Sequence, residues 1–332
     1  MTAIHIQGLG TYVPTKRITN VDLMSLVDTN DEWIVSRTGI KARHMLADDE
    51  NGSDAGTEAA LKALEDAGIA AEDITHVLTA TCTPDYLCPS TACIISGKIG
   101  SHGAMAFDLN AACTGFVYGL DVANSILAGK PGAKVLLVGS EAFTRRLNWE
   151  DRTTCILYGA AAAVLTNGDA GTPKRCLPSA PRLRDVRCGA DGRQYPLLTV
   201  GGGTNRNYKP GDPVQDDFYL QMQGREVFKQ AVRSLSAVCS ELLEDNGLTL
   251  EDIDLFIPHQ ANLRIIEAVG DRLKLGSEKI FVNLDEYGNT SAASIPLGIG
   301  DACAQGRIRP GSRVLLSAFG GGFTWGAALL EF

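Results

Sequence analysis

The stretch Glu72-Asp-Ile-Thr-His-Val-Leu78 returns later in the chain as Glu251-Asp-Ile-Asp-Leu-Phe-Ile257. A second stretch, Pro131-Gly-Ala-Lys-Val-Leu-Leu137, returns as Pro310-Gly-Ser-Arg-Val-Leu-Leu316. The offset from Glu72 to Glu251 equals the offset from Pro131 to Pro310. Chance rarely produces two similar pairs at one offset, so they indicate an internal duplication. The fold is therefore expected to contain two halves of similar topology.

The duplication divides the chain into an N-terminal half, residues 1–172, and a C-terminal half, residues 173–332. The boundary falls near Gly168-Asp-Ala-Gly-Thr-Pro173, a stretch that is rich in turn-forming residues. Within each half, short apolar runs such as Val135-Leu-Leu-Val-Gly139 are typical of buried strands. These runs alternate with amphipathic segments, and this alternation predicts an α/β fold.

Two long segments have the period of an amphipathic helix. We predict one helix over Thr57–Ala67, ending before Gly68, and another over Phe218–Glu244, ending before Asn246. Residues 182–217 show neither helical nor strand periodicity, so we expect a long loop there that borders the functional site.

The composition is that of a globular enzyme and excludes several function classes. Of 332 residues, 45% are apolar, and the formal net charge of −9 argues against a general affinity for nucleic acid or for an anionic membrane. No apolar stretch reaches the ~20 residues that span a bilayer, and Met1-Thr-Ala-Ile-His-Ile6 does not have the pattern of a secretory signal. The nine cysteines are scattered without C-x-x-C spacing, so we expect a reduced, cytoplasmic protein without a metal site.

Three polar residues lie among small residues, in contexts that a hydrophobic core alone does not require. They are Cys113 in Asn110-Ala-Ala-Cys-Thr-Gly-Phe116, His259 in Ile257-Pro-His-Gln-Ala-Asn262, and Asn289 in Tyr287-Gly-Asn-Thr-Ser291. A thiol can accept an acyl group, while an imidazole and a carboxamide can donate hydrogen bonds to a developing oxyanion. Together they are the groups that thioester chemistry requires, provided that they meet in space.

Each of the three also has a purely structural interpretation. Cys113 precedes a predicted helix over Thr114–Ala123, and a helix N-terminus stabilises a thiolate by roughly 0.5–2 kcal/mol, which lowers the thiol pKa. The alternative is an inert cysteine of the core. A buried histidine that bonds to the backbone is the alternative for His259, and a left-handed turn after Gly288 is the alternative for Asn289.

The duplication gives two of these residues related positions. Asp108-Leu-Asn-Ala-Ala-Cys113 and Asn283-Leu-Asp-Glu-Tyr-Gly-Asn289 each follow a short strand and precede a small-residue helix, with positions that match to within a residue. Matching positions of pseudo-symmetric halves can converge on the axis between them, so we expect Cys113 and Asn289 to meet. His259 follows the strand Leu255–Pro258 at its carboxyl end, where α/β proteins usually place their chemistry.

Two further patterns suit ligand binding. Gly320-Gly-Gly322 follows a buried strand, where backbone N–H groups can approach a ligand and complete an oxyanion hole, although a tight turn without a ligand explains it as well. Trp33 and Arg37 share one helical face, which suits a purine and its phosphates, although a solvent-facing cation–π pair is the commoner explanation.

Five motifs in one order resemble the β-ketoacyl-acyl carrier protein synthase III family, the initiating condensing enzymes of bacterial type II fatty acid synthesis. They are Asp28-Thr-Asn-Asp-Glu-Trp-Ile-Val-Ser-Arg-Thr-Gly-Ile40, Ala111-Ala-Cys-Thr-Gly-Phe116, Pro258-His-Gln-Ala-Asn-Leu-Arg-Ile-Ile266, Gly288-Asn-Thr-Ser-Ala-Ala293 and Ala318-Phe-Gly-Gly-Gly-Phe-Thr-Trp-Gly326. The resemblance covers the chain from end to end. It implies a thiolase-like fold with two pseudo-symmetric halves in an αβαβα arrangement, and a homodimer.

The resemblance also implies a reaction, the decarboxylating Claisen condensation of an acyl-CoA primer with malonyl-acyl carrier protein to give 3-ketoacyl-acyl carrier protein. The primer would be acetyl-CoA or a longer or branched acyl-CoA, and no cofactor is implied, because both thioesters are substrates. By this resemblance Cys113 attacks the primer and holds the acyl group, and His259 and Asn289 stabilise the enolate that decarboxylation forms. The backbone N–H groups of Cys113 and Gly321 match the oxyanion hole of the family.

The same resemblance assigns binding residues. The residues implied at the CoA are Trp33, Arg37, Arg152 and, on the pantetheine path, Asn262. The residues implied at the carrier protein are Lys229, Arg264 and Arg272. An acidic carrier protein needs such a local basic patch to bind an acidic enzyme.

The chain departs from the family pattern at three places. Tyr158-Gly-Ala-Ala-Ala-Ala-Val164 is about two residues shorter than the matching family segment and lacks its aspartate, and Thr153 follows Arg152 where glycine is common. Cys88, before Pro89, stands where the family often has a phenylalanine that closes the acyl pocket of the partner subunit. The smaller side chain predicts that longer or branched primers enter.

Other functions remain as alternatives. A thiolase needs a second cysteine near the C-terminal glycine run, where this chain has Phe319. Condensing enzymes of secondary metabolism, of the alkylquinolone or polyketide type, share the cysteine, histidine and asparagine and differ in their primer and extender. A cysteine protease uses the same three residue types, but the duplicated halves argue against that function. A catalytically silent thiolase-like interaction protein would not acylate Cys113.

Overall fold

The computed structural model describes residues 4–151, 154, 159–167, 171–202 and 212–332. The strands are β1 (Ile4–Tyr12), β2 (Lys16–Thr19), β3 (Ala42–Met45), β4 (His76–Ala80), β5 (Met105–Leu109), β6 (Lys134–Glu141), β7 (Gly159–Asn167), β8 (Arg182–Ala190), β9 (Leu198–Val200), β10 (Leu220–Met222), β11 (Leu255–Pro258), β12 (Arg313–Gly320) and β13 (Thr324–Glu331). The helices are α1 (Asn20–Leu23), α2 (Asp31–Thr38), α3 (Gly52–Ala67), α4 (Thr91–Ile99), α5 (Gly115–Gly129), α6 (Gly224–Asp245), α7 (Leu263–Leu273), α8 (Leu284–Tyr287) and α9 (Ser294–Ala304).

The strands of the largest sheet are arranged almost symmetrically about its centre. Its nine strands have the order β11-β12-β13-β8-β1-β7-β6-β4-β5, and the central strands β8 and β1 pair antiparallel. On both sides the next neighbour is an antiparallel strand, β13 or β7, followed by the parallel pair β12 and β11 or β6 and β4. The place of β5 is taken on the other side by a single parallel bridge between Phe256 and Ile280.

Two helices lie between the two halves of this sheet. Side chains of α5 and α9 belong to one core cluster with Val135 of β6 and Val314 of β12. The neighbouring residue Leu136 packs instead with α3 and α4, and Leu315 packs with α6 and α7. Because strands that are buried on both faces read as continuous apolar runs, these layers explain the sequence of β6 and β12. The resulting order of layers, αβαβα, confirms the predicted two-half α/β architecture.

The duplication predicted from the sequence is visible in the element bounds. β6 begins at Lys134 and β12 at Arg313, and the turns that precede α5 and α9 begin at Ala112 and Ser291. Both pairs of elements have the offset that relates the two repeated stretches of sequence. The proposed boundary between residues 172 and 173 falls in the connection between β7 and β8. That boundary stays a prediction.

Two predictions about secondary structure are wrong. Residues 182–190, expected in a loop, form β8 beside β13, and the predicted helix over Phe218–Glu244 begins only at Gly224 because β10 pairs with β9. The sequence of β8 contains arginines rather than an apolar alternation. Arg184 forms an ion pair with Glu331 at 2.6 Å, so its charge is satisfied beside the strand.

Candidate active site

A cavity of about 930 Å³ lies where the two halves meet, and it is the place where the predicted site residues converge. The predicted residues that line it are Trp33, Arg37, Cys113, Lys229, His259, Asn262, Arg264, Asn289 and Gly321. Cys113 and Asn289, which the duplication was expected to bring together, thus line the same cavity. Leu198 and Val200, from the segment expected to border the site, also line the cavity.

Cys113 lies in a 3-10 turn, Ala112–Thr114, directly before α5. The hairpin between β12 and β13 fixes this turn, because the Thr324 hydroxyl donates to the carbonyl of Ala111 at 3.0 Å. Gly320 allows the close approach, since a Cβ atom there would lie 2.7 Å from the Cys113 nitrogen. The C-terminal half thus sets the position of Cys113, which belongs to the N-terminal half.

The predicted direction of the Cys113 pKa is wrong. Burial raises the pKa of the Cys113 thiol to about 12, and the carboxyl group of Glu141 adds to the rise. The hydroxyl of Ser291, 3.5 Å from Cys113 Sγ, acts in the opposite direction but is outweighed. The resting thiol is therefore neutral, and it can act as a nucleophile only if its proton leaves.

His259 follows the end of β11 and is buried, with 5% of its surface exposed. Its backbone N–H donates to Ser317 at 2.7 Å, which continues the ladder to β12. Burial lowers the pKa of the His259 imidazole to about 3, so the ring is neutral. Its Nδ1 lies 2.6 Å from the hydroxyl of Ser294. When that hydroxyl donates to Nδ1, the ring proton is on Nε2, which becomes a hydrogen-bond donor.

Asn289 is oriented by the turn that follows it. Its Oδ1 accepts the backbone N–H of Ser291 at 2.9 Å, so the carboxamide presents its NH₂ group as a donor. Asn110, which the offset of the duplication relates to Asn289, makes the same contact to the backbone N–H of Ala112 at 3.3 Å. Asn110, rather than Cys113, is thus the counterpart of Asn289 in the duplication.

The predicted CoA residues lie together on one wall of the cavity. The Arg37 guanidinium lies 4.5 Å from the centre of the Trp33 ring, as the cation–π interpretation expected. Asn262 caps α7 by accepting the backbone N–H of Arg264 at 2.9 Å, and it donates to the backbone carbonyl of Arg37 at 3.0 Å. Arg152, the remaining predicted CoA residue, lies outside the residues that the structure describes.

The residues predicted to bind the carrier protein differ in whether they line the cavity. Lys229 and Arg264 are exposed and line the cavity, and Lys229 pairs with Glu226 at 2.8 Å. Arg272 is exposed in the last turn of α7 and does not line the cavity. Cys88 is exposed and does not line the cavity of its own chain either. Arg225 also lines the cavity, and no role was predicted for it from the sequence.

Three polar residues next to the predicted ones were also missed. Glu141 ends the apolar strand β6 and is buried beside Cys113, Ser291 bridges the two, and Ser294 contacts His259. A charged residue at the carboxyl end of a buried strand was the available signal for Glu141. The two serines had no such signal, because serine is common in small-residue turns.

Within residues 4–151, 154, 159–167, 171–202 and 212–332, no group of three or more histidine, cysteine, aspartate or glutamate side chains is arranged to bind a metal ion. In the same ranges, no helix combines the length and the apolar character that crossing a membrane requires.

Comparison with known proteins gives matches over both halves. The family profile described as 3-Oxoacyl-[acyl-carrier-protein (ACP)] synthase III matches residues 107–180, and the one described as its C terminal matches residues 243–332. The beta-ketoacyl-[acyl-carrier-protein] synthase III of Nitratidesulfovibrio vulgaris (strain DSM 19637 / Miyazaki F) is 58% identical over 332 residues, which cover 99% of this chain and 98% of that protein.

Solved structures are similar over the same length. The crystal structure of 3-oxoacyl-[acyl-carrier-protein] synthase III from Aquifex aeolicus VF5 has a TM-score of 0.89 and 40% identity, covering 99% of this chain and 100% of that one. The priming β-ketosynthase from the R1128 polyketide biosynthetic pathway has a TM-score of 0.87 and 32% identity, covering 99% and 96%.

Proposed function

Because the chain belongs to the 3-oxoacyl-[acyl-carrier-protein] synthase III family, we propose that the cavity between its halves is the active site of that family's condensation. The protein has the thiolase-like fold and is an acyltransferase. It condenses an acyl-CoA with malonyl-acyl carrier protein and so initiates fatty acid synthesis. The convergence of Cys113, His259 and Asn289 on one cavity is the observation that supports the residue assignments.

In the first half-reaction, Cys113 Sγ attacks the thioester carbonyl of the primer. The new bond between sulfur and the acyl carbon replaces the bond to the CoA sulfur, and CoA leaves as its thiol. Backbone N–H groups of Cys113 and Gly321 would stabilise the oxyanion of the tetrahedral intermediate. A single donor of this kind is worth ~3–4 kcal/mol of the barrier, and the position of Gly321 on the cavity wall supports this role.

In the second half-reaction, malonyl-acyl carrier protein loses carbon dioxide and its thioester becomes an enolate. His259 Nε2 and the NH₂ group of Asn289 would donate hydrogen bonds to the enolate oxygen. A neutral histidine suits this role, and burial holds the pKa of His259 low enough to keep it neutral. The carbanion then attacks the acyl group on Cys113, whose sulfur leaves, and 3-ketoacyl-acyl carrier protein is formed.

The cavity mouth supports the substrate assignments. Arg37 stacks on Trp33 and would hold the nucleotide end of CoA, together with Arg152, while Asn262 would lie along the pantetheine. Arg225, Lys229 and Arg264 form a basic rim that suits an acidic carrier protein. Arg272 lies eight residues beyond Arg264 on α7, about 12 Å along the helix, and would contact the carrier protein at the edge of the patch.

Exposed apolar side chains support a homodimer. β5 is an edge strand and its Met105 is 56% exposed, and Leu87, in the connection between β4 and α4, is 82% exposed. An open edge strand with exposed apolar neighbours is a typical pairing surface. Cys88 follows Leu87 and in such a dimer would close the acyl pocket of the partner subunit. We further propose that the enzyme works in the cytoplasm and needs no cofactor besides its two thioester substrates.

The function is tested by incubating the purified chain with acetyl-CoA and malonyl-acyl carrier protein. The expected products are 3-ketoacyl-acyl carrier protein, free CoA and carbon dioxide. If neither acetyl-CoA nor a longer or branched acyl-CoA gives the ketoacyl product, the proposed function is wrong. A Cys88→Phe variant should lose activity on the longer primers and keep acetyl-CoA, and an unchanged primer profile would refute the role of Cys88.

The carrier-protein surface has its own test. An Arg264→Glu variant should raise the KM for malonyl-acyl carrier protein about tenfold, since a surface charge reversal mainly affects association, and should leave acylation by acetyl-CoA unchanged. The matched control is Arg175→Glu. Arg175 is exposed and forms an ion pair with Glu65 of the N-terminal half, so this variant should change neither step. Equal losses in both assays for Arg264→Glu would contradict the assignment.

A further inference from the structure

Glu141 is a buried carboxyl group that the reaction steps above do not use. It ends β6, is 1% exposed, and its oxygens accept several hydrogen bonds. The donors from its own half are the hydroxyl of Thr83 at 2.7 Å, the hydroxyl of Thr81 at 3.3 Å, and the backbone N–H and thiol of Cys82 at 3.1 and 3.2 Å. A core residue of this size does not need a charge, so the carboxyl group requires an explanation.

Ser291 connects this carboxyl group to the nucleophile. Its hydroxyl oxygen lies 3.0 Å from Glu141 Oε1 and 3.5 Å from Cys113 Sγ, and the side chain is buried. A hydroxyl has one proton to donate and can accept another at the same time. The atoms Cys113 Sγ, Ser291 Oγ and Glu141 Oε1 therefore form a continuous path for a proton inside the cavity wall.

The proton of the Cys113 thiol needs such a path. The thiol is neutral at rest, and His259 is a weak base because burial lowers its pKa to about 3. Release of the proton to bulk water would leave a thiolate beside the Glu141 carboxylate, two negative charges in a buried site. Transfer of the proton to Glu141 keeps the total charge of the cluster at one negative unit.

We propose that Glu141 is the proton acceptor for Cys113 and that the Ser291 hydroxyl relays the proton. As Cys113 Sγ bonds to the acyl carbon, its proton passes to Ser291 Oγ, and Ser291 passes its own proton to Glu141 Oε1. The bond to the CoA sulfur breaks, and the proton held at Glu141 returns through Ser291 to the leaving CoA thiolate. Ser291 contacts the reacting sulfur, and Glu141 acts through it.

The groups around Glu141 are compatible with this role. Within the parts of the chain that the structure describes, the titratable groups that act on it are the Cys82 thiol, from the segment after β4, and the Cys113 thiol. The Arg146 guanidinium, after β6, acts on Cys82. Burial raises the pKa of Glu141, which makes it a better base, while its hydrogen-bond donors act in the opposite direction.

The inference rests on Cys113 being the acyl carrier, and its test begins with that premise. Single-turnover acylation by acetyl-CoA is measured across the neutral and alkaline range, with the acyl group on Cys113 verified by mass spectrometry. The wild-type rate should be flat there and fall in acid as Glu141 is protonated. In Glu141→Gln, which keeps the size of the side chain, the neutral-pH rate should fall about a hundredfold.

The slope of the pH profile separates a relay from a structural role. Without the acceptor, the rate of Glu141→Gln should rise about tenfold per pH unit, because the thiolate must then form by itself. Ser291→Ala should show the same slope, and alanine fits there because Ala112 has the matching backbone, with φ 48 against 49. Asp66→Asn, which removes a buried carboxylate that bonds the backbone of Leu9, is the control and should keep the flat profile.

Two results would overturn the relay. A Glu141→Gln profile that runs parallel to the wild type, whether lower or equal, would mean that Glu141 is only structural. A Ser291→Ala profile that stays flat would remove the serine from the path. Neither result affects the proposed function, which fails if wild-type Cys113 is not acylated or if no ketoacyl product forms.

Discussion

The turn before α5 and the turn before α9 have the same backbone and different side chains. Ala112 and Ser291 begin the two turns with φ angles of 48 and 49, and the Oδ1 atoms of Asn110 and Asn289 accept their backbone N–H groups. The next residue is Cys113, the proposed nucleophile, in one half and Ala292 in the other. The two turns pack against each other, since Ser291 Oγ contacts Cys113 Sγ.

The same asymmetry holds for the strands around these turns. At the offset of the duplication, His259 corresponds to Ala80, and Glu141 corresponds to Gly320. In each pair one half supplies a chemical group and the other supplies a small residue. The two halves therefore share the framework, and the chemical groups of the site lie at positions where the halves differ. Neither half contains a complete site.

The largest expected effect comes from making the two turns alike. Cys113→Ala gives the N-terminal turn the residue of its counterpart, and it removes the acyl carrier. Condensation should fall by about 10³-fold or more, because a covalent nucleophile has no substitute. The measurement is ketoacyl product formed per minute. Cys239→Ala, at a buried cysteine of α6, is the control and should stay within about twofold. Substantial activity in Cys113→Ala would contradict the account.

His259→Ala makes the ends of β11 and β4 alike and should separate the two half-reactions. Loss of the Nε2 donor should slow condensation by about 10²–10³-fold, while acylation of Cys113 by acetyl-CoA stays near the wild-type rate. Both rates are measured on the same preparation. His76→Ala, which truncates a buried histidine at the start of β4, should leave both rates unchanged. Loss of acylation with unchanged decarboxylation would reverse the assigned role.

Asn289→Ala and Asn110→Ala test whether equivalent turns have unequal functions. Each variant loses one side-chain acceptor for a backbone N–H, so each should lower the free energy of unfolding by about 1 kcal/mol. Only Asn289→Ala also loses an enolate donor, so its condensation rate should fall about tenfold to a hundredfold. Denaturant unfolding and the condensation assay measure the two effects. Equal losses of activity would mean that the turns, and not the amide donor, matter.

The last effect concerns stability rather than activity and follows from the buried His259, whose counterpart in the other half is Ala80. Its folded pKa of about 3 lies below the ordinary value of 6.5, so below pH 6.5 the unfolded chain binds a proton that the folded chain does not. Stability should therefore be lost as the pH falls from 6.5 towards 3, by about 1.4 kcal/mol per pH unit.

Urea unfolding at neutral and mildly acidic pH measures this loss. The wild type should lose about 2 kcal/mol more than His259→Ala between neutral pH and about pH 5. Other titrating groups, Glu141 among them, are present in both proteins and cancel in the comparison. Identical pH dependence of the two proteins would show that His259 is not held neutral by burial.

The sequence predicts the framework, and the convergence of Cys113, His259 and Asn289 on one cavity, better than it predicts the environment of these side chains. The common offset of the repeated stretches and the apolar runs of β6 and β12 are patterns of the sequence itself, and the structure confirms the two-half αβαβα arrangement that they imply. β8 was not predicted because its sequence contains arginines. In the folded chain their charges are neutralised by distant residues, as Glu331 does for Arg184. Neutralisation of these charges depends on tertiary contacts, so the local sequence does not indicate it.

The environment of Cys113 shows the same limit. Its position before a helix is predicted correctly, but the direction of its pKa depends on burial and on Glu141, which approaches from the end of another strand. Ser291, the residue between them, looks like any serine in a small-residue turn. The contact between these three residues exists only in the folded chain.

The most direct test of the account is to incubate the wild-type chain with acetyl-CoA alone and to map the acetyl group by peptide mass spectrometry. The account predicts one acetyl group per chain on Cys113, released on addition of malonyl-acyl carrier protein as the ketoacyl product. Cys113→Ala should take up none. An unmodified Cys113, or an acetyl group on another residue such as Cys82 at the same rate, would contradict the assignment of the nucleophile.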